Sequence, residues 1–212
     1  GVTGGAARNP LTELCALAHA CVDAKTGRVK IPGFYDEVIP PTKAEVKSFL
    51  ASGFQVKRFM EAYRFQTLRT MQAEEVLKRI WAAPTFEVHG LVGGYTGPGV
   101  KTVVPGCGEL KVSMRLVPDQ RPEQIFRLFK RFVAKQNARI TVEPEGMLQP
   151  FRGVFDGPYA EAAKRAVKVG FGKEPAFIRE GGSIGAVSIL QRAWQVPILF
   201  MGLSLPEHGY HA

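Results

Sequence analysis

The chain has 212 residues, of which 45% are hydrophobic, 10% aromatic and 22% charged, a composition typical of one folded domain or two modest ones. This composition argues against long disordered regions. No apolar run approaches the roughly 18 residues that cross a bilayer, so no membrane partner is expected. The net charge of +9 favours acidic partners. However, the lysines and arginines are spread along the chain, so we expect no nucleic-acid partner and keep that class only as an alternative.

The cysteines indicate the cellular compartment, and the N-terminal residues indicate whether the chain belongs to a longer protein. Cys15, Cys21 and Cys107 are an odd number outside any Cys-x-x-Cys pair, which favours neither a disulfide framework nor a zinc finger and fits a reducing, cytoplasmic location. Residues 1–10 lack the features of a signal peptide, and the chain does not begin with methionine. We therefore expect it to be part of a longer protein.

Helical patterns dominate the first eighty residues. Asn9 followed by Pro10 is a favourable helix start, and apolar residues recur on one face as far as Val22. Thr42 and Glu45 have the spacing of a capping box, which predicts a second helix. Two further helical patterns cover residues 55–66 and 72–81.

After Pro84 the period changes to that of strands. One strand is predicted around residues 86–92 and a longer one over 101–117, broken near residue 105, with alternating apolar side chains in its second half. A helix follows Pro122, and Ile140 and Val142 predict a third strand. The order helix, strand, strand, helix, strand indicates an α/β fold with a ferredoxin-like α+β domain.

A second region follows a segment rich in glycine and proline. We place the boundary near Gln149, which gives domains of residues 1–149 and 150–212. The second contains a helix from Pro158, a strand over 176–178, a helix after Ser183 and an apolar strand over 196–203. This succession predicts part of a parallel sheet that belongs to a larger α/β domain.

Three features are better explained by structure than by chemistry. The glycine-rich segment 94–99 joins two strands, so no helix start is available to hold a phosphate. Glu74 and Glu75 lie on the polar face of a helix and are expected to be solvated. His19 and His89 lack the spacing of metal ligands.

Five short segments occur in the order in which they occur in one enzyme family. They are Gly4-Gly5-Ala6 with Asn9-Pro10-Leu11, Gly93-Gly94-Tyr95 with residues 101–105, residues 113–118, residues 179–184, and the terminal His211-Ala212. Together they resemble the lid and the C-terminal catalytic motifs of carnosinase-like dipeptidases. This family belongs to the zinc exopeptidases that include aminoacylase, glutamate carboxypeptidase and succinyl-diaminopimelate desuccinylase.

The resemblance implies a mechanism and a set of partners. In these enzymes two Zn²⁺ ions, with Mn²⁺ as the alternative metal, activate a water that hydrolyses dipeptides, related short peptides or N-acyl amino acids, with a Glu as general base. That Glu and most metal ligands precede the lid, so we expect no catalytic residue in this chain and place the general base upstream of Gly1. The resemblance also implies a homodimer formed through the lid.

Candidate site residues follow from the same resemblance. Arg179 with Gly182 and Ser183 offers donors for the free C-terminal carboxylate of a small peptide. Thr102 and Arg115 match lid positions that reach substrate, Thr102 across the dimer. His211 corresponds to the last zinc ligand and also borders the substrate, although His208 is a competing candidate.

Two other classes of function stay open at this point. One is a stand-alone ligand-binding or dimerisation module built on the ferredoxin-like domain. The other is a basic nucleic-acid-binding α/β domain. Only the peptidase hypothesis requires a His-x-Asp and a Glu-Glu in the sequence that precedes Gly1.

Overall fold

The structure, a computed structural model, describes residues 2–180 and 184–202, apart from the side chains of Ser188 and Arg192. Its helices are α1 (Pro10–Cys21), α2 (Lys43–Ala51), α3 (Val56–Ala62), α4 (Ala73–Trp81), α5 (Pro122–Gln136), α6 (Gly157–Phe171) and α7 (Gly185–Trp194). Its strands are β1 (Thr85–Gly93) and β2 (Gly108–Arg115). They pair antiparallel, with an irregular register between Val88 and Gly90.

The chain divides into two compact units that interleave along the sequence. The first comprises Gly1–Glu37, Pro84–Leu116 and Pro122–Met147, and the second comprises Val38–Ala83, Val117–Arg121 and Leu148–Ala212. The helices α2 to α4 therefore belong with the C-terminal segment. The predicted domains 1–149 and 150–212 are divisions in chain order, and they stay predictions.

Both predicted helix starts are confirmed by their hydrogen bonds. The side chain of Asn9 accepts from the Leu11 backbone N–H at 3.0 Å, with Pro10 as the first helical residue. At α2 the Thr42 hydroxyl accepts from the Glu45 N–H at 3.2 Å, and the Glu45 carboxylate accepts from the Thr42 N–H at 2.8 Å. Each contact satisfies an N–H group that the helix itself leaves without a partner.

The core of the first unit lies between the β1–β2 pair and the helices α1 and α5. Cys21 and Val133 are fully buried, Phe34 is 1% exposed, and the rings of Phe86 and Phe129 meet at 5.9 Å between centroids. Burial raises the pKa of the Cys21 thiol to about 12, so this cysteine packs as a neutral apolar group. The predicted alternation of β2 is confirmed, because its polar residues are exposed and its apolar residues half-buried.

Leu11 occupies a space that glycines leave open at one end of the sheet. A Cβ atom at Gly93 would lie 2.9 Å from the Leu11 side chain, and one at Gly108 would lie 2.8 Å from it. Gly93 and Gly108 form the last pair of the β1–β2 ladder, and Gly94 follows with a φ of 75°. This close approach of α1 to the sheet therefore depends on missing side chains.

One strand prediction in the first unit is wrong, and a second is confirmed only in its second half. Ile140 and Val142 are half-buried against the core, but the Ile140 N–H donates to the Asn137 carbonyl in a turn rather than to a neighbouring strand. The long second strand begins only at Gly108, since the Val103 N–H bonds to the carbonyl of Lys101. The side chains of Ile140 and Val142 are half-buried as in the predicted strand, but the backbone N–H groups form hydrogen bonds within local turns instead of with a neighbouring strand.

The two strands predicted in the C-terminal segment are also wrong within the described residues. Residues 176–178 are not assigned to a strand, since the backbone of Phe177 bonds to a serine side chain instead. Residues 196–202 likewise form no ladder, and Pro197 has no N–H to donate; residue 203 lies outside the described residues. The helices predicted from residue 158 and after residue 183 are confirmed as α6 and α7.

Aromatic side chains dominate the core of the second unit. Phe49 is 2% exposed, and it meets the ring of Trp81 edge-on at 5.3 Å, where Leu77 is also buried. On the outer side of α4, Lys78 pairs with Glu74 at 2.6 Å and with Glu75 at 3.3 Å. The solvated face predicted for these two glutamates is thus confirmed. Across the described ranges, no helix is both long and apolar enough to span a membrane.

Candidate substrate-recognition site

Arg179 forms an ion pair with Glu45 inside the second unit. The Arg179 Nε donates to Glu45 Oε1 at 3.0 Å, and Nη2 donates to the same oxygen. The side chains are only 10% and 19% exposed. Arg152 adds a second cation, with Nη1 at 4.0 Å from the same oxygen. The arginine predicted to receive a substrate carboxylate therefore already contacts a carboxylate of its own chain.

The two oxygens of Glu45 have different partners. Oε1 faces the guanidinium of Arg179, whereas Oε2 accepts from the N–H and the hydroxyl of Thr42 at 2.8 and 3.1 Å. Burial by itself would raise the pKa of Glu45. The hydrogen bonds from the Thr42 backbone and from Arg179, together with the charge of Arg179, outweigh burial and lower the pKa below its ordinary value. Glu45 is therefore an anion that joins a helix start to a partly buried cation.

This lowered pKa predicts a pH-dependent contribution to stability. The ionised carboxylate should stabilise the fold fully above the ordinary value of 4.5, and this stability should be lost as the pH falls through the lower folded value. We expect Glu45→Gln to reduce the free energy of urea unfolding at pH 7 and the difference from wild type to shrink towards pH 3. The exposed Glu143→Gln is the control, and a pH-independent loss in Glu45→Gln would contradict the assignment.

A second contact attaches the segment before Arg179 to α2. The Ser48 hydroxyl donates to the Phe177 carbonyl at 2.9 Å and accepts from the Phe177 N–H at 2.8 Å. The Nζ of Lys164 lies 5.0 Å above the centroid of the Phe177 ring. Glu45 and Ser48 are three residues apart and share one side of α2. This side of α2 thus binds both Phe177 and Arg179.

Thr102 lies in a cleft of the first unit. The cleft has a volume of about 250 Å³ and lies beside the start of α1; its lining residues are Thr3, Gly4, Asn9, Lys101, Thr102, Val103 and Val104. Thr102 belongs to the connection between β1 and β2, and its side chain is exposed. The residues that line this cleft thus include a threonine and a lysine.

Arg115 is the last residue of β2, opposite Thr85 of β1. It is exposed, on the face of the strand that also carries Ser113. Ser113 is hydrogen-bonded to the ring of His89, which stands at the irregularity in the register. The structure therefore brings His89 next to Ser113, a contact that the spacing of histidines did not predict. A bulge in one strand was the missing information.

Three predicted site residues lie outside the described residues: Gly182, Ser183 and His211. Within the described part of the chain, no three His, Cys, Asp or Glu side chains stand close enough to hold a metal ion. The described side chains thus do not by themselves fit a metal centre. His19 is exposed near the end of α1.

Sequence reasoning did not find Glu45 and Ser48 as neighbours of Arg179. Glu45 was recognised only as a helix cap, a role that it also has. The contact to Arg179 joins residues 134 positions apart, and no local pattern encodes such a pairing. The available signal was the polar side of α2, where a carboxylate and a hydroxyl occur three residues apart.

The combination of helices with an antiparallel strand pair is consistent with the lid domain of an α/β peptidase. The peptidase dimerisation domain family, M20_dimer, matches residues 1–141. The chain therefore belongs to the M20 peptidase dimerisation domain family. This finding confirms the family resemblance and the fold class predicted from the sequence.

Known relatives are similar over the whole chain. The chain is 31% identical to the human Beta-Ala-His dipeptidase over 100% of this chain and 43% of that protein. It is 29% identical to the Cys-Gly metallodipeptidase DUG1 of Saccharomyces cerevisiae over 100% and 45%. The crystal structure of human carnosine dipeptidase 1 superposes with a TM-score of 0.85 at 29% identity, covering 99% of this chain and 46% of that one. The chain thus spans less than half the length of these relatives.

Proposed function

We propose that this chain is part of a metal-dependent dipeptidase, in which it supplies the dimerisation lid and a portion of the substrate-binding wall. The observation that carries the proposal is the similarity to named dipeptidases across all of this chain. Hydrolysis of β-Ala-His and Cys-Gly by the full-length protein, before and after removal of metal with a chelator, tests it. Activity on neither dipeptide with Zn²⁺ or Mn²⁺ restored would contradict it.

The substrate is proposed to be a small peptide with a free C-terminal carboxylate. The residues assigned to it are Thr102, Arg115, Arg179, Gly182, Ser183 and His211. Arg179 supports this assignment because a guanidinium has five N–H donors and the pair with Glu45 uses two of them. With respect to the described residues, up to three donors thus stay available to a second carboxylate.

Two Zn²⁺ ions per active site are the proposed cofactor, with His211 as the one ligand from this chain. The name of the yeast relative supports a metal but not its identity. When bound, such a metal centre lowers the pKa of water to make a nucleophile. The residues of this chain bind and orient the peptide.

The full-length protein is proposed to form a homodimer through the lid, and sedimentation tests this. Because the chain belongs to a dimerisation domain family, we expect the full-length protein to sediment as a dimer at micromolar concentration. Thr102 is proposed to act in the site of the partner subunit. A strictly monomeric enzyme with full activity would contradict both the dimer and this role.

Two further aspects belong to the same proposal. A cytoplasmic location is favoured by three cysteines that are all free thiols, two of them exposed. The stand-alone module is disfavoured, because the similarity to dipeptidases extends over both units and beyond the 1–141 match. A stand-alone module would give no reason for the C-terminal segment to share this similarity.

A further inference from the structure

We propose that Glu45 of α2 is a positioning residue that holds the Arg179 guanidinium ready for the substrate carboxylate. The inference rests on the proposed function and adds a residue that lies 134 positions away in sequence. It also gives α2 a role in substrate recognition, although this helix precedes β1 in the chain.

The geometry of the pair supports positioning rather than simple attachment. Glu45 Oε1 accepts from Nε and Nη2, so the contact determines which edge of the guanidinium faces α2, in addition to compensating its charge. A free arginine side chain loses considerable rotamer freedom when it binds an anion. Since Glu45 already restrains Arg179, the substrate does not have to order this side chain on binding.

The backbone next to Arg179 is restrained from the same helix. The Ser48 hydroxyl bonds to both the N–H and the carbonyl of Phe177, two residues before Arg179. The Ser48 side chain thus makes the two backbone hydrogen bonds that a neighbouring strand would otherwise make with Phe177. Glu45 and Ser48 together therefore fix the guanidinium at one end of the segment and its backbone at the other.

The two oxygens of Glu45 allow the roles of helix capping and arginine positioning to be separated. Glu45→Gln keeps an acceptor for the Thr42 N–H, because Gln also serves in capping boxes, but it removes the charge that holds Arg179. Thr42→Ala has the complementary effect. It removes the hydroxyl cap from the Glu45 N–H and the hydroxyl's hydrogen bond to Oε2, but it leaves the charge of Glu45 and the acceptor Oε1 that faces Arg179.

The test is steady-state kinetics of the full-length enzyme on a free dipeptide and its C-terminal amide. We expect Glu45→Gln to raise KM for the free dipeptide about tenfold, with kcat within about twofold and little change for the amide. Thr42→Ala should lower the melting temperature while KM stays within about twofold of wild type. An unchanged KM in Glu45→Gln would overturn the proposal. A lower KM in Glu45→Gln would also overturn it, because it would show that the Glu45 carboxylate competes with the substrate carboxylate for Arg179.

A charge exchange distinguishes this inference from a purely structural pair. The double variant Glu45→Arg with Arg179→Glu restores opposite charges, but it moves the cation to α2. We expect its melting temperature to recover more than its KM for the free dipeptide. Full recovery of KM would overturn the positioning role.

Arg179→Ala separates failure of this inference from failure of the proposed function. If Arg179→Ala weakens binding of the free dipeptide and Glu45→Gln does not, only the positioning role is wrong. If Arg179→Ala treats the free and amidated dipeptides as wild type does, the assignment of Arg179 to the substrate carboxylate is wrong, and the positioning role is wrong with it.

Discussion

Replacing His211 with alanine in the full-length enzyme is expected to remove one bound metal ion and to lower kcat by more than roughly 100-fold. Loss of a residue that only hydrogen-bonds to a metal ligand can already cost roughly 100-fold, and His211 is proposed to be a ligand itself. A zinc ion in a catalytic site takes three protein ligands, so the loss of one imidazole leaves too few to hold it. Elemental analysis of the purified variant measures the metal, and hydrolysis of β-Ala-His measures the turnover.

The same reasoning predicts the behaviour of the 212-residue chain by itself. A dizinc site needs several ligands, and the proposal assigns only His211 of this chain to it, so the chain alone should be inactive and bind Zn²⁺ weakly. His208→Ala in the full-length enzyme is the matched control and should keep both metals. Stoichiometric binding of two Zn²⁺ ions by the chain, or loss of activity in the His208 variant alone, would show that the assignment of His211 is wrong.

The second large effect is expected at Arg179. Arg179→Ala in the full-length enzyme should lower kcat/KM for a free dipeptide. The expected loss of transition-state stabilisation is about 2–4 kcal/mol, the range for a lost charge-assisted pair in a buried site. Wild-type enzyme should already hydrolyse amidated dipeptides poorly, because their C-terminus has no carboxylate. Equal rates on free and amidated dipeptides would contradict the assignment.

A stability control is needed for this variant. Removing Arg179 leaves the carboxylate of Glu45 partly buried without its main cation, which destabilises the fold independently of substrate. The double variant Arg179→Ala with Glu45→Gln removes that unpaired charge. If its melting temperature recovers while kcat/KM stays low, the kinetic loss comes from substrate recognition.

The sequence predicted those parts of the fold that local physics determines. The cap at Asn9, the capping box of Thr42 and the apolar face of α5 each follow from residues within one or two turns of each other. The alternation of β2 is of the same kind. In all four cases the nearest neighbours in sequence are also the neighbours in space.

Predictions that needed a distant partner were less accurate. The strand over 176–178 was inferred from apolar residues, yet Phe177 bonds to Ser48, whose position in space the sequence does not give. Likewise, Arg179 was predicted to bind a substrate carboxylate, and this stays a prediction. The carboxylate in the structure, however, is that of Glu45. Residue type indicated the kind of interaction, and only the fold determined the partner.

The glycines beneath Leu11 have a mechanical consequence for Thr102. The connection from Gly94 to Cys107 leaves the sheet and returns to it at one paired position, Gly93 opposite Gly108, with the Leu11 side chain against both. Both ends of this connection therefore start from one place, where the side chain of Leu11 fills the space above two glycines. A side chain larger than hydrogen at Gly93 or Gly108 would displace Leu11 and with it the base of the segment that carries Thr102.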